Sequence, residues 1–143
     1  MAGIVKVMGA RMVDLDQDQC RRRLDGGGIG RAGVTVGALP AIFPVNYAMF
    51  DGDIVFRTGA GTKLDAAVSG AVIAFEIDHI DPFSRTGWSV LVVGTARPIT
   101  DPEDQARAEH LPLTPWADGQ RDTFVRLESA KVTGRALTTD SPY

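Results

Sequence analysis

The sequence predicts a mainly β protein with short helices, arranged as an antiparallel barrel or sandwich. Three observations predict this class. Runs rich in β-branched and aromatic residues follow one another between residues 29 and 137. The dipeptide Asp51-Gly52 separates two of these runs and is typical of a tight type I′ hairpin turn. The helix-like segments are short and do not alternate with strands, which disfavours βαβ units and a parallel sheet.

Three helix starts support the assignment of the elements along the chain. Asp14 or Asp16 can cap the first helix, Thr62 the second and Asp101 the third, and Asp65 stands where a capping box needs it. The predicted elements are a helix over 14–25, strands over 29–39, 40–50 and 53–58, a helix over 62–69, strands over 71–80 and 86–99, a helix over 101–111, an irregular stretch over 112–120 and a strand over 122–137.

Length and composition predict one globular domain over residues 1–143, with its core at about 14–138 and tails at 1–13 and 139–143. The chain is 44% hydrophobic and 23% charged, as in globular proteins. A net charge of −3 argues against a broad basic surface for nucleic acid. A lone cysteine, Cys20, and the absence of an apolar stretch long enough to cross a membrane predict a cytoplasmic protein with no membrane partner.

Two motifs that suggest other chemistry lack the context which that chemistry needs. Residues 28–33, GIGRAG, match the dinucleotide-binding pattern, but a charged helix precedes them and a strand follows. The pattern binds a pyrophosphate only between a strand and a helix. The segment around His79, EIDHIDP, could offer metal ligands, but a polar strand face is the favoured interpretation, so no metal is predicted.

The stretch FRTGAGTK, residues 56–63, combines several requirements of an anion site. Arg57 ends a strand and Lys63 begins a helix, so two cations flank a glycine-spaced turn. The two glycines let backbone amides approach a ligand, and Thr58 and Thr62 add hydroxyl donors. The alternative is an ordinary solvated loop with two surface cations.

Polar or aromatic side chains in two other strands are further candidates. Asn46 interrupts an apolar strand, where it could satisfy backbone groups or meet the polar edge of a planar heterocycle. Trp88 begins a long apolar strand, with Ser89 facing the other way. A tryptophan there is a core residue, an interface residue or a cofactor contact.

The order of these motifs resembles the pyridoxamine 5′-phosphate oxidase-like flavin proteins, most closely the small actinobacterial-type branch of the FMN-binding split barrels. The resemblance covers about residues 14–135, and its most specific parts are FPVNY, FRT…GTK and RTGWSV. It implies a six-stranded antiparallel split β-barrel of Greek-key-like order. It also implies a homodimer with a flavin in each of two clefts between the subunits.

The resemblance also implies residue roles. Arg57 and Lys63 would bind the FMN phosphate, with Thr58 and Thr62 as companions. The strand before the hairpin would lie along the isoalloxazine ring, and the start of the long apolar strand would reach the cofactor or the dimer seam. These last positions are Pro44, Val45 and Asn46 for the ring, and Trp88 and Ser89 for the seam.

The functional prediction is an FMN-dependent oxidoreductase that transfers hydride between the flavin and a small organic substrate. No pair of residues stands out as a dedicated acid or base. Residues 125–143 do not match the substrate-recognition pattern of true pyridoxamine phosphate oxidases, so the vitamin-producing reaction is not predicted. Two alternatives stay open: a reductase that uses the deazaflavin coenzyme, and a non-catalytic flavin carrier or sensor.

Overall fold

The structure, a computed structural model, describes residues 10–113 and 122–139. Residues 1–9 and 140–143 of the predicted tails and residues 114–120 of the predicted irregular stretch lie outside the described residues. In chain order the elements are β1 (Ala10–Leu15), α1 (Gln17–Asp25), β2 (Gly28–Val36), β3 (Leu39–Phe50), β4 (Asp53–Gly59), α2 (Lys63–Val68), β5 (Val72–Asp81), β6 (Thr86–Pro98), α3 (Pro102–Ala108) and β7 (Asp122–Thr139).

Each helix begins at a cap that satisfies backbone donors in the first turn. In α1 the cap is Asp16, whose carboxylate accepts a 2.8 Å bond from the Gln19 amide, while the Gln19 side chain accepts one from the Asp16 amide. Thr62 caps α2, and Asp101 caps α3 by accepting from the amide of Asp104 at 3.1 Å. The structure therefore confirms three predicted helix starts, with Asp16 rather than Asp14 as the first cap.

The strands form one antiparallel sheet in the order β1-β7-β4-β3-β2-β5-β6, and β7 also pairs with β6. The double pairing of β7 closes β2 to β7 into a ring, so the architecture is barrel-like. The hairpin between β3 and β4 has positive φ angles of 51° at Asp51 and 84° at Gly52. These values are those of the predicted type I′ turn.

The predicted count of six strands is not confirmed, because the described residues form seven. The additional strand, β1, includes residues 10–13, which were predicted to belong to a tail. It pairs only with β7, from Ala10 opposite Thr139 to Leu15 opposite Gly134. Its residues do not alternate cleanly between buried and exposed, so the sequence carries little strand signal there.

The interior of the ring, here called the barrel core, is filled by buried apolar side chains from β2 to β7. Helices α1 and α2 add Leu24 and Val68 to the same cluster. Tyr47 ties β3 to α1, because its hydroxyl donates to the carbonyl of Leu24 at 3.0 Å. Burial, with a smaller effect of the Asp25 charge, raises the pKa of Tyr47 to about 12, so the hydroxyl stays a donor at neutral pH.

A second, smaller cluster lies outside the ring, between the β3–β4 hairpin and α3. We call it the outer core. Its buried members are Ala48, Phe50, Val55, Ile99, Ala108 and Leu113, with Leu111 and Phe124 packed against them.

Candidate functional site

The predicted site residues lie in two separate places on the ring. The first group is carried by β3, β4 and the start of α2, and the second by the start of β6. The first group consists of Pro44, Val45, Asn46, Arg57, Thr58, Thr62 and Lys63, and the second of Trp88 and Ser89.

In the first group, Asn46 and Arg57 share the outer face of the β3–β4 pair. Tyr47 is paired with Phe56, and both side chains are buried in the barrel core. Because side chains alternate along a strand, the preceding Asn46 and the following Arg57 both face outward, side by side. Pro44 shares this face, whereas the side chain of Val45 is 4% exposed and belongs to the barrel core.

The guanidinium of Arg57 is half-buried and held by residues that the sequence analysis did not single out. Its Nη1 donates to the carbonyl oxygen of Leu113 at 3.0 Å. Its Cζ lies 5.2 Å from the centre of the Phe124 ring, a cation–π distance. No sequence signal marked Leu113 or Phe124, because both meet Arg57 only through the tertiary fold.

The turn between β4 and α2 is organised around the carboxylate of Asp65. Its Oδ1 accepts a 2.8 Å bond from the hydroxyl of buried Thr58, and its Oδ2 accepts one from the amide of Gly61 at 3.1 Å. The Thr62 hydroxyl donates to the carbonyl of Gly59 at 2.7 Å. The predicted capping box does not form, since Asp65 binds Gly61 rather than the Thr62 amide, which bonds Gly59 instead.

These bonds change which groups of the turn are available to an anion. The hydroxyls of Thr58 and Thr62 and the amide of Gly61 all donate hydrogen bonds within the turn. Lys63 is exposed at the first position of α2. Two cationic side chains therefore flank this turn: Arg57 near the end of β4 and Lys63 at the start of α2.

In the second group, Trp88 is half-buried against the barrel core and lies under a helix arginine. The Cζ of Arg23 is 5.2 Å from the centre of the indole ring, and its Nη1 donates to the Gln19 carbonyl at 3.3 Å. Ser89, on the other face of β6, lines two cavities of about 480 and 280 Å³. Arg135 of β7 lines both cavities as well. Neither cavity is lined by Asn46 or the turn after β4.

The smaller cavity also contains a carboxyl group that titrates near neutral pH. Glu76 and Asp78 both lie against Nη1 of Arg31, at 3.1 and 3.4 Å. Burial, reinforced by a hydrogen bond and charge from Asp78 and opposed by Arg31, raises the pKa of Glu76 to about 7. This group can therefore exchange a proton at neutral pH. The sequence analysis considered this strand as a metal site and missed Arg31, its partner from β2.

Two further surveys cover the described part of the chain. Among residues 10–113 and 122–139, no group of three or more His, Cys, Asp or Glu side chains is arranged to hold a metal ion. Within the same ranges, no helix has the length and apolar character needed to cross a membrane.

Comparison with known proteins identifies relatives over nearly the whole chain. The family model described as pyridoxamine 5′-phosphate oxidase matches residues 16–136. The uncharacterized protein Rv0080 of Mycobacterium tuberculosis is 43% identical over 135 residues, which cover 91% of this chain and 88% of the relative.

Solved structures agree with the family match. An FAD-binding protein from Mycobacterium smegmatis is 35% identical with a TM-score of 0.75, over 86% of this chain and 98% of that one. An FAD-binding protein from Mesorhizobium loti, at 20% identity and a TM-score of 0.73 over 91% of this chain and 99% of that one, shares the fold. With a family match that spans most of its length, the chain belongs to the pyridoxamine 5′-phosphate oxidase-like family.

Proposed function

We propose that the protein is an FMN-binding oxidoreductase that works as a homodimer and transfers hydride between the flavin and a small organic substrate. The observation that carries the proposal is the shared outer face of β3 and β4, where Asn46 and Arg57 lie side by side, with Lys63 at the start of the helix that follows β4. The Mycobacterium smegmatis relative is named for FAD binding, which supports a flavin as the ligand class.

The residues present fit the phosphate end of a flavin. Arg57 offers a planar fork of donors and Lys63 a compact charge, the two kinds of cation that bind phosphate oxygens. Because Asp65 already accepts from Thr58 and Gly61, we assign the phosphate to these two cations rather than to the turn's hydroxyls and amides. Asn46, one strand away, would hydrogen-bond the polar edge of the ring and orient it.

The bound flavin would supply the redox chemistry, and the protein would supply orientation and a shaped cleft. FMN and FAD both carry a phosphate on the ribityl chain, so both would use Arg57 and Lys63. FMN is the proposed cofactor, because the two cations, Arg57 and Lys63, match one phosphate.

Two observations support the homodimer. The cavities beside Ser89 are lined neither by Asn46 nor by the turn after β4, and a second copy would bring Trp88 and Ser89 to Asn46 and Arg57. The ring also exposes large apolar side chains around the second group: Met12 is 59% exposed, Ile80 69% and Leu91 42%. Exposed apolar side chains grouped on one sheet face are typical of surfaces buried by association.

A titration of the purified protein with riboflavin, FMN, FAD and the deazaflavin coenzyme tests the cofactor assignment, with flavin fluorescence as the signal. The double variant Arg57→Ala/Lys63→Ala removes two charge-assisted bonds, so FMN affinity should fall about a hundredfold or more. Riboflavin, which lacks the phosphate, should bind the variant and the wild type alike. Arg97→Ala is the matched control, since Arg97 is an exposed arginine paired with Glu128 at 3.8 Å, away from this turn.

Each alternative outcome has its own meaning. An equal loss of affinity for riboflavin and for FMN in the double variant contradicts the phosphate assignment. Tight binding of FAD or of the deazaflavin coenzyme with weak binding of FMN would replace FMN by that cofactor. Bound FMN that no nicotinamide donor reduces under anaerobic conditions, and no acceptor reoxidises, would make the protein a flavin carrier or sensor.

A further inference from the structure

The outer core extends to Arg57, the residue on which the proposed phosphate contact depends. Arg57 lies on β4 two residues after Val55, on the same outward face, and Val55 is a fully buried member of the outer core. In the β4–β7 register Arg57 stands directly opposite Phe124. The ring of Phe124 packs against the outer core, so Arg57 sits at the edge of that cluster.

Two contacts hold the guanidinium in this position. The carbonyl oxygen of Leu113 accepts a 3.0 Å bond from Nη1 of Arg57, and the Phe124 ring lies 5.2 Å from its Cζ. One contact fixes an N–H direction, and the other packs against the guanidinium. Together these contacts restrict the Arg57 side chain before a ligand binds. An unrestricted arginine would lose the rotational freedom of several bonds on binding.

The Leu113 carbonyl is itself held in place, because the segment that carries it is fastened at several points. The amide of Ile99 donates to the carbonyl of Phe124 at 2.8 Å, and the side chain of Gln105 donates to the Ile99 carbonyl at 3.0 Å. The side chain of Leu113 is 6% exposed within the outer core. Ile99 and Leu113, at the two ends of the segment that contains α3, are therefore both buried in the outer core.

We propose that Leu113 and Phe124 are positioning residues, which hold the Arg57 guanidinium in the orientation that binds the flavin phosphate. The inference rests on the proposed function, because it assigns a role in phosphate binding. A cation oriented before the ligand arrives pays less ordering entropy on binding. Residues 99–113, the segment that contains α3, include no predicted ligand. Through Leu113, this segment then determines how much the phosphate adds to the affinity for FMN.

The test measures the ratio of the riboflavin dissociation constant to the FMN dissociation constant, by flavin fluorescence with the full chain. This ratio reports the phosphate contact alone, since a general loss of packing weakens both ligands together. Phe124→Leu keeps an apolar side chain but removes the ring, and it should lower the ratio about five- to tenfold. Leu113→Ala removes the buried side chain that holds the Leu113 carbonyl in place, and it should also lower the ratio.

Two variants serve as controls. Phe124→Tyr keeps an aromatic ring over Arg57 and should keep the wild-type ratio. Phe50→Leu removes a ring from the same outer core, but Phe50 lies on β3, outside the segment 99–113 that carries the Leu113 carbonyl. It should lower the melting temperature while leaving the ratio unchanged.

The outcomes separate this inference from the proposed function. A wild-type ratio near one, or no flavin binding at all, overturns the phosphate contact and the inference with it. A high wild-type ratio that collapses in Arg57→Ala but survives in both Phe124→Leu and Leu113→Ala overturns the inference alone. Should Phe124→Leu fail to fold, the comparison of Leu113→Ala with Phe50→Leu decides the question.

Discussion

The barrel core and the outer core lie on opposite faces of the same two strands, and they differ in composition and in what they hold. On β4, Ile54 and Phe56 point into the barrel core while Val55 points into the outer core, and all three are fully buried. The strand is therefore apolar on both faces. A continuous apolar run such as this is typical of a strand covered on both sides.

The barrel core is aromatic at its centre. Tyr47 and Phe75 meet edge to face at 5.1 Å between ring centroids, and Phe56 stacks on Phe75 at 6.2 Å. These rings come from three different strands. Their packing holds the ring of strands together, so a change here should act on the whole fold.

The outer core is small and rimmed with charge. The Cζ atoms of Arg107 and Arg126 lie 4.3 and 5.2 Å from the centre of the Phe50 ring, and the two arginines pair with Asp51 and Asp53, each at 2.8 Å. Here the packing fastens one segment to the hairpin. The barrel core therefore joins strands around the whole ring, whereas the outer core fastens the segment 99–113 to the hairpin and borders Arg57 through Phe124.

The largest effect is expected in the barrel core. Phe75→Ala removes a fully buried ring that contacts two others, and should lower the free energy of unfolding by about 3–5 kcal/mol. Urea denaturation followed by circular dichroism measures this loss. Phe83→Ala is the matched control, since Phe83 is 97% exposed and its loss should leave the midpoint unchanged. A loss below about 1 kcal/mol at Phe75 would contradict the contrast between the two cores.

A smaller effect is expected from adding volume at the same point. A Cβ on Gly30 would overlap the ring of Phe75, so Gly30→Ala should cost about 1–3 kcal/mol. Combining Gly30→Ala with Phe75→Leu should cost less than the sum of the two single changes, because the smaller side chain makes room. Strict additivity in urea denaturation would show that Gly30 does not depend on the ring. Gly33→Ala, where the added Cβ would meet only Ala74 at 3.5 Å, is the control.

The smallest effect on stability is expected at the rim of the outer core. The hydrogen bond from Arg107 holds the pKa of Asp51 below its ordinary value. A lowered pKa means that the pair stabilises the fold above the pKa of the unfolded chain, and that this contribution disappears as pH falls through the folded pKa. In Arg107→Ala, NMR titration should find the Asp51 pKa closer to its ordinary value. An unchanged pKa would show that the pair does not persist in solution.

Much of the fold was predictable because its signals are local. The hairpin at Asp51-Gly52 needs positive φ angles, and the helix starts at Asp16, Thr62 and Asp101 need oxygen acceptors beside free amides. Strand β1 was missed because its evidence is its pairing with β7, more than a hundred residues away. The capping box predicted at Asp65 was wrong for a similar reason. The hydroxyl of Thr58, from the preceding strand, donates to the Asp65 carboxylate.

The candidate site divides in the same way. The sequence by itself determined the residue types of the proposed anion site, Arg57 and Lys63 on either side of a turn, since charge and glycine spacing are visible in eight residues. It also determined that Asn46 interrupts an apolar strand. Only the tertiary structure decided that Asn46 and Arg57 share one outward face, and that Leu113 and Phe124 hold the guanidinium. The physical reason is that strand register and side-chain packing join residues far apart in the chain, and neither leaves a pattern in the local sequence.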